Sequence, residues 1–220
     1  MPKTDAERHE DRRGAIEWAR GVLADPQTVI YDCETAVLAG GDPTAVDICE
    51  IGLILADGEV VYDTLVGVQH EIAPEATAEH GITFEMCDPY ERFWDEPFDD
   101  LSELLPGKRV IAYNAEYDRE VLRGNVAWCN DSGFQDFKAA DAWLEQTRWE
   151  CVTLWYAQWI GEWDDSLGEY RRQKQPGSGH RALADCYATL ALLHTMAKAD
   201  PAWQPPIPPR ADGRPSADLP

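Results

Sequence analysis

Two carboxylates, Asp32 and Glu34, interrupt an otherwise apolar run, Val29-Ile30-Tyr31-Asp32-Cys33-Glu34-Thr35-Ala36-Val37-Leu38. The run reads as a central β-strand, and residues two apart on a strand share a face, so both acids point one way at close range. Taking two anions out of water costs several kcal/mol each, roughly, unless a cation or hydrogen bonds offset it. The pair points to a bound metal or to an acid–base dyad. The same anomaly recurs late in the chain. Between Arg181 and Lys198, Asp185 is the sole carboxylate of an apolar helical run, and a helix apolar nearly all round is expected to be buried. His180 stands five residues before Asp185, at or just before the helix start. A further acid, Asp118, follows Val110-Ile111-Ala112-Tyr113-Asn114 where a strand hands over to a helix. Helical spacing sets Asn114 and Asp118 on one face and turns Glu116 elsewhere.

The elements that must carry these groups can be read from periodicity and turn chemistry. Residues 5–24 predict an amphipathic helix with Ile16, Ala19, Val22 and Leu23 on one side, ended by Asp25-Pro26. After a polar Gly-Gly-Asp-Pro loop, residues 48–56 and 59–66 predict two strands joined by Asp57-Gly58, a strong hairpin signal. Residues 70–106 predict a loop with short helices, 108–113 a fourth strand, and 114–128 a helix. From 139 to 161 the pattern is mostly helical, broken by a short strand near Trp149-Glu150-Cys151, and 180–198 is the last helix. An early meander of strands followed by alternating helices and strands predicts an α/β fold with a mixed sheet.

Composition narrows the class. In 220 residues, nine Trp and eight Tyr among 44% hydrophobic residues supply the core of one domain. The longest charge-free stretches, 186–197 and 152–161, fall short of the ~20 residues of a membrane span. The charged N-terminus lacks an apolar segment with a small-residue cleavage site, so a cytoplasmic location is expected. Six cysteines, at 33, 49, 87, 129, 151 and 186, form no C-x-x-C pair. That excludes zinc ribbons and thioredoxin chemistry and leaves reduced, mostly buried thiols as the expectation. Acids outnumber basic residues 41 to 19, a net charge of −22, which repels nucleic acid at long range. Either the chain is adapted to a high-salt cytoplasm or it holds its substrate locally.

Taken in order, Asp32-x-Glu34 on the first strand, Asn114-x-x-x-Asp118 at a strand-to-helix junction and His180-x-x-x-x-Asp185 on a late helix resemble the DEDDh exonucleases. This is the DnaQ-like family of the RNase H-like superfamily, which includes the proofreading subunit of bacterial replicative polymerase. Thr35, directly after the Asp-x-Glu, and His80-Gly81-Ile82-Thr83, similar to the family's His-Gly-Ile-Thr loop beside the substrate's 3′ end, add to the likeness. The chain departs where Ala36-Val37-Leu38 replaces the frequent Thr-Gly-Leu and Tyr113-Asn114 the frequent His-Asn. The short segment between Trp163 and His180 resembles stand-alone members more than the polymerase subunit.

The likeness covers residues 28–198, and it implies an RNase H-like fold whose mixed sheet has antiparallel strands 1–3 flanked by helices. The expected organisation is an N-terminal helix packed on the domain (1–27), an exonuclease domain (28–199) and a proline-rich tail (200–220). With seven prolines in its last twenty residues, the tail is expected to be extended or disordered. The implied activity is metal-dependent 3′-5′ hydrolysis of single-stranded DNA, releasing nucleoside 5′-monophosphates. Asp32, Glu34, Asp118 and Asp185 would hold two divalent cations, Mg²⁺ or Mn²⁺, with Asp32 bridging them, and His180 would be the general base. Thr35, His80, Ile82, Asn114 and Arg181 would contact substrate. The implied partners are single-stranded 3′ ends and a DNA polymerase or a replication or repair complex, with no membrane. A 3′-5′ exoribonuclease is the main rival, and a catalytically silent binding module a more distant one.

Arg171, Arg172, Lys174 and Arg181 surround the proposed base, and Arg119 and Arg123 follow Asp118. Such groups usually make a solvated face, and phosphate contact is the alternative reading. Trp155, Trp159 and Trp163 recur every four residues, a stripe that predicts core packing ahead of base stacking. Pro205-Pro206-Ile207-Pro208 fits a P-x-x-P ligand, a match common by chance in proline-rich tails.

Overall fold

Apolar side chains on both faces of the pleat bury strand β1 (Thr28–Thr35) at the centre of a five-stranded sheet. The computed structural model describes residues 3–37, 41–128 and 134–202. In it β1 runs antiparallel to β2 (Ile48–Leu55), which pairs antiparallel with β3 (Val60–Leu65). On the other side β1 runs parallel to β4 (Arg109–Ala112), and β4 to β5 (Arg148–Cys151). The strand order is therefore β3-β2-β1-β4-β5, the expected mixed sheet. Gly58 takes a left-handed φ of 92° in the predicted hairpin.

Period-two alternation sorts β1 between two cores. Val29, Tyr31 and Cys33 pack with α4 (Pro97–Leu104), α5 (Ala115–Ala127) and α6 (Phe137–Leu144) through Leu101, Val121, Leu122 and Leu144. Ile30 packs instead with α1 (Asp5–Ala24), α7 (Val152–Ile160) and α8 (Ala182–Lys198), against Val22, Val152, Leu190 and Leu193. Asp32 and Glu34 share Ile30's parity and face the α8 layer. Short helices α2 (Pro74–His80) and α3 (Phe84–Cys87) occupy the predicted loop.

The first helix begins at a capping box formed by Thr4 and Glu7 and buries Ile16, Ala19 and Val22 as expected. Its seam also takes in two arginines. Arg8 donates from Nε and Nη2 to the Gly161 carbonyl at 2.9 and 2.6 Å, and Arg12 lies 5.3 Å from the Trp159 ring centroid. Charged heads are tolerated there because a helix-terminal carbonyl and an aromatic face receive them.

Several boundaries differ from the sequence expectation. β1 stops at Thr35, because a bulge in β2 skips Cys49 and the Ala36 N–H turns to Asp47 O at 2.9 Å. The last helix starts at Ala182, leaving His180 outside it at φ 51°, and Ala184, Tyr187, Ala191 and Thr195 are exposed, so the helix is not buried all round. The tryptophan stripe does not lie on one helix. Gly161 (φ 82°) ends α7, and Trp163 falls in a small hairpin of β6 (Trp163–Asp164) and β7 (Glu169–Tyr170). Trp155 stacks on Trp18 with centroids 5.1 Å apart, and Trp163 is buried, so these rings do pack in the core. The described cysteines, Cys33, Cys49, Cys87, Cys151 and Cys186, are free and buried. Leu38, Cys129 and the tail from residue 203, with its P-x-x-P, lie outside the described residues. No described helix is long and apolar enough to cross a membrane.

Candidate active site

Asp32, Glu34 and Asp185 converge although 151 residues separate the last two in sequence. Each offers a carboxylate oxygen within 4.8 Å of the others. The approach depends on Gly52, which pairs with Asp32 across the β1–β2 ladder. A Cβ on Gly52 would lie 2.8 Å from backbone atoms of Ala182 and Leu183, so only glycine lets α8 settle this close to the sheet. Asp185, three residues after Ala182, is thereby brought against β1.

Asp118 reaches the site from the opposite helical layer. Its Oδ1 lies 3.8 Å from the Cys33 thiol, which donates to it, and it is buried. It stands outside the trio, yet among charges its field acts most strongly on Asp32. Burial first, then Asp118, Glu34 and Asp185, push Asp32 well above the usual carboxylate range. Burial, then Asp185 and Glu50, lift Glu34 to about 8, and burial lifts Asp118 to about 7. Among the described residues neither Asp32 nor Glu34 has a hydrogen bond or ion pair to offset this. Unpartnered carboxylate oxygens grouped so closely fit a hard divalent cation, whose charge would reverse those shifts.

Asp185 has protein partners. Ser178 Oγ donates to its Oδ2 at 2.8 Å and the Gly179 N–H to its Oδ1 at 2.7 Å. These bonds tie the segment before His180 to a site acid. The His180 side chain is half-exposed, with Nδ1 3.3 Å from Glu79 Oε1.

The remaining sequence-derived residues fall into two groups. His80 is buried, and both its nitrogens are engaged. Nδ1 accepts from the Ile82 N–H at 3.0 Å, so Nε2 donates to Thr35 O, 3.2 Å away. Burial lowers its pKa, consistent with this neutral form. Ile82 is fully buried, and Thr35 donates from Oγ1 to Val37 O at 2.7 Å. Asn114 is exposed at the start of α5. The arginines are paired within the fold: Arg171 with Glu162 and Asp164, Arg172 with Glu116, Arg119 with Glu120, and Arg123 with Asp141.

Arg181 is paired with Glu50, a residue that sequence reasoning missed. Glu50 is a lone carboxylate in Ile48-Cys49-Glu50-Ile51-Gly52-Leu53, the same anomaly that marked Asp32 and Glu34. That interruption of an apolar strand was the signal available.

A mixed five-stranded sheet flanked by helices, with two facing carboxylates on its central strand, has the RNase H-like fold. The RNase_T exonuclease family model matches residues 29–193, and the chain belongs to that family. An uncharacterized exonuclease, CP81, of Escherichia phage 186 is 30% identical over 182 residues, covering 77% of this chain and 88% of that protein. Exodeoxyribonuclease 10 of Escherichia coli K12 is 31% identical over 173 residues, 74% of this chain and 66% of its own length. Among solved structures, E. coli exonuclease I in complex with a dA16 oligonucleotide superposes with a TM-score of 0.55 at 18% identity. Exonuclease I from Methylocaldum szegediense gives 0.56 at 20%. The match spans 75% and 80% of this chain but only 39% and 41% of those longer chains, and at such identity the likeness is one of fold. The protein is thus a nucleic-acid exonuclease, a hydrolase.

Proposed function

We propose that the chain is a metal-dependent 3′-5′ exonuclease that hydrolyses single-stranded DNA from its 3′ end and releases nucleoside 5′-monophosphates. The observation that carries this reading is the unpartnered carboxylate group of Asp32 and Glu34 with Asp185 within 4.8 Å, beside Asp118. The name of exodeoxyribonuclease 10 supports DNA as the substrate class.

Asp32, Glu34, Asp118 and Asp185 would hold two divalent cations, Mg²⁺ or Mn²⁺. When bound, such cations supply Lewis acidity, lowering the pKa of a water and stabilising the charge that develops on the phosphodiester. His180 takes the water's proton at Nε2 as the water oxygen bonds to phosphorus and the P–O3′ bond breaks. The departing O3′ takes a proton from solvent, so the shortened strand ends in a 3′-hydroxyl and the phosphate leaves with the terminal nucleoside. Glu79, whose Oε1 lies 3.3 Å from His180 Nδ1, would orient the imidazole. Thr35 and Asn114 contact the terminal nucleotide, while the guanidinium of Arg181 is engaged with Glu50. His80 and Ile82 frame it by fixing the Thr35 carbonyl and the loop after α2.

The test uses 5′-labelled single-stranded DNA and RNA with Mg²⁺, Mn²⁺ or chelator, beside Asp32→Ala. A metal-dependent DNA ladder shortening from the 3′ end is expected. Internal cuts, preference for RNA or activity surviving in the variant would overturn the reading.

A further inference from the structure

Glu50 is buried to 3% exposure, and its carboxylate faces α8 rather than the acids of β1. Arg181 Nε donates to Oε1 at 2.9 Å and Oε2 at 3.0 Å, Arg181 Nη2 donates to Oε1, and the Ala182 N–H donates to Oε2 at 2.8 Å. Helix α8 receives no capping hydrogen bond from the side chain of its own N-cap residue, Arg181. Glu50 therefore caps the helix from another element, satisfying a first-turn N–H and placing negative charge at the positive end of the helix.

What this cap holds is the end of α8 that carries the chemistry. Asp185 follows one turn after Ala182, and His180 immediately precedes Arg181. His180 is the only described non-glycine residue at positive φ. Such a backbone persists where its surroundings over-determine it, and here both flanks are tied. Ser178 and Gly179 bond to Asp185 on one side, and Arg181 and Ala182 bond to Glu50 on the other. On β2 the cap lies two residues from Gly52, the contact that sets the height of α8 above the sheet.

We propose that Glu50 is a positioning residue of the nuclease site, which through Arg181 and the Ala182 N–H sets where His180 and Asp185 stand relative to Asp32 and Glu34. This rests on the reading of those four residues given above. Glu50 itself is not a ligand, since its oxygens are occupied by α8. Displacement of a reacting group by about an ångström lowers turnover by up to ~100-fold, so Glu50 governs kcat more than KM.

Glu50→Gln, Arg181→Ala, the double variant and Asp32→Ala would be compared for kcat, KM, Mn²⁺ binding by calorimetry and thermal stability. Both single variants are expected to lose ~10- to 100-fold in kcat with KM changed less than about threefold, while still binding Mn²⁺. The double variant should be no worse than the poorer single, because both act through one contact. Arg181 is half-exposed, so its removal tests the brace even if Glu50→Gln fails to fold. Wild-type kcat in Arg181→Ala, additive losses in the double variant, or loss of Mn²⁺ binding in Glu50→Gln as complete as in Asp32→Ala would each overturn the proposal. Activity persisting in Asp32→Ala would instead refute the metal site, leaving the two failures distinct.

Discussion

Glu34 and Glu50 are paired directly across the β1–β2 ladder and face the same helix, yet only Glu50 is neutralised. Like charges opposite each other destabilise a sheet. Arg181 and the Ala182 N–H resolve one half of that conflict within the protein. Glu34, lifted to about 8 by burial and its acidic neighbours, is left for a cation from solution.

Removing one of the unpaired acids should therefore stabilise the metal-free protein while destroying its activity. Asp32→Asn is expected to raise the Tm measured with chelator near neutral pH by about 2–6 °C and to abolish the further rise on adding Mn²⁺. A lower Tm in chelator would contradict the view that Asp32 is an uncompensated charge.

The same groups set a pH dependence. Burial holds Glu34 at about 8 and Asp118 at about 7 in the folded, metal-free chain, against roughly 4 when unfolded. Between those limits the folded state binds more protons, so its stability falls as pH rises through the folded values. Calorimetry with chelator should show Tm falling from about pH 6 to about pH 8.5 by roughly 5 °C or more, and saturating Mn²⁺ should flatten the profile. A chelated Tm that climbs with pH would be the opposite sign.

His180→Ala is expected to lower kcat by about 10²- to 10⁴-fold, the range of a lost general base, without loss of Mn²⁺-dependent oligonucleotide binding. Single-turnover rates and a filter-binding assay separate the two. Unchanged turnover removes His180 from the mechanism.

Gly52→Ala should act through backbone. Its Cβ would press on Ala182 and Leu183, costing about 1–3 kcal/mol as overpacking and moving Asp185 away from Asp32. Gly21→Ala, on an exposed turn of α1 with open space around the new methyl, should gain about 0.5–1 kcal/mol from helix propensity and leave turnover intact. Equal effects at the two glycines would argue against close approach as the reason for Gly52.

Much of this protein was legible from local pattern. The alternation Ile30, Asp32, Glu34 put two acids on one face, and Asp57-Gly58 marked the hairpin. These follow from the repeat of the backbone itself, which residue type and spacing reveal without any partner. Asn114, by contrast, stands outside α5 as its exposed N-cap while Asp118 is buried within it. The stripe of Trp155, Trp159 and Trp163 had an equally good helical period, but Gly161 stopped the helix before its third member. The reach of β1 depended on a bulge in the neighbouring strand, which no pattern in β1 records.

Distances between elements were settled only by packing. The sequence by itself determined that buried acids existed on β1 and α8 and needed compensation. The tertiary structure decided that Asp185 joins Asp32 and Glu34 within 4.8 Å while Arg181 goes to Glu50. The physical reason is the separation of the partners. Contacts made across more than a hundred residues depend on how closely α8 can approach the sheet, and that closeness is set by the missing side chain of Gly52 and the cap supplied by Glu50.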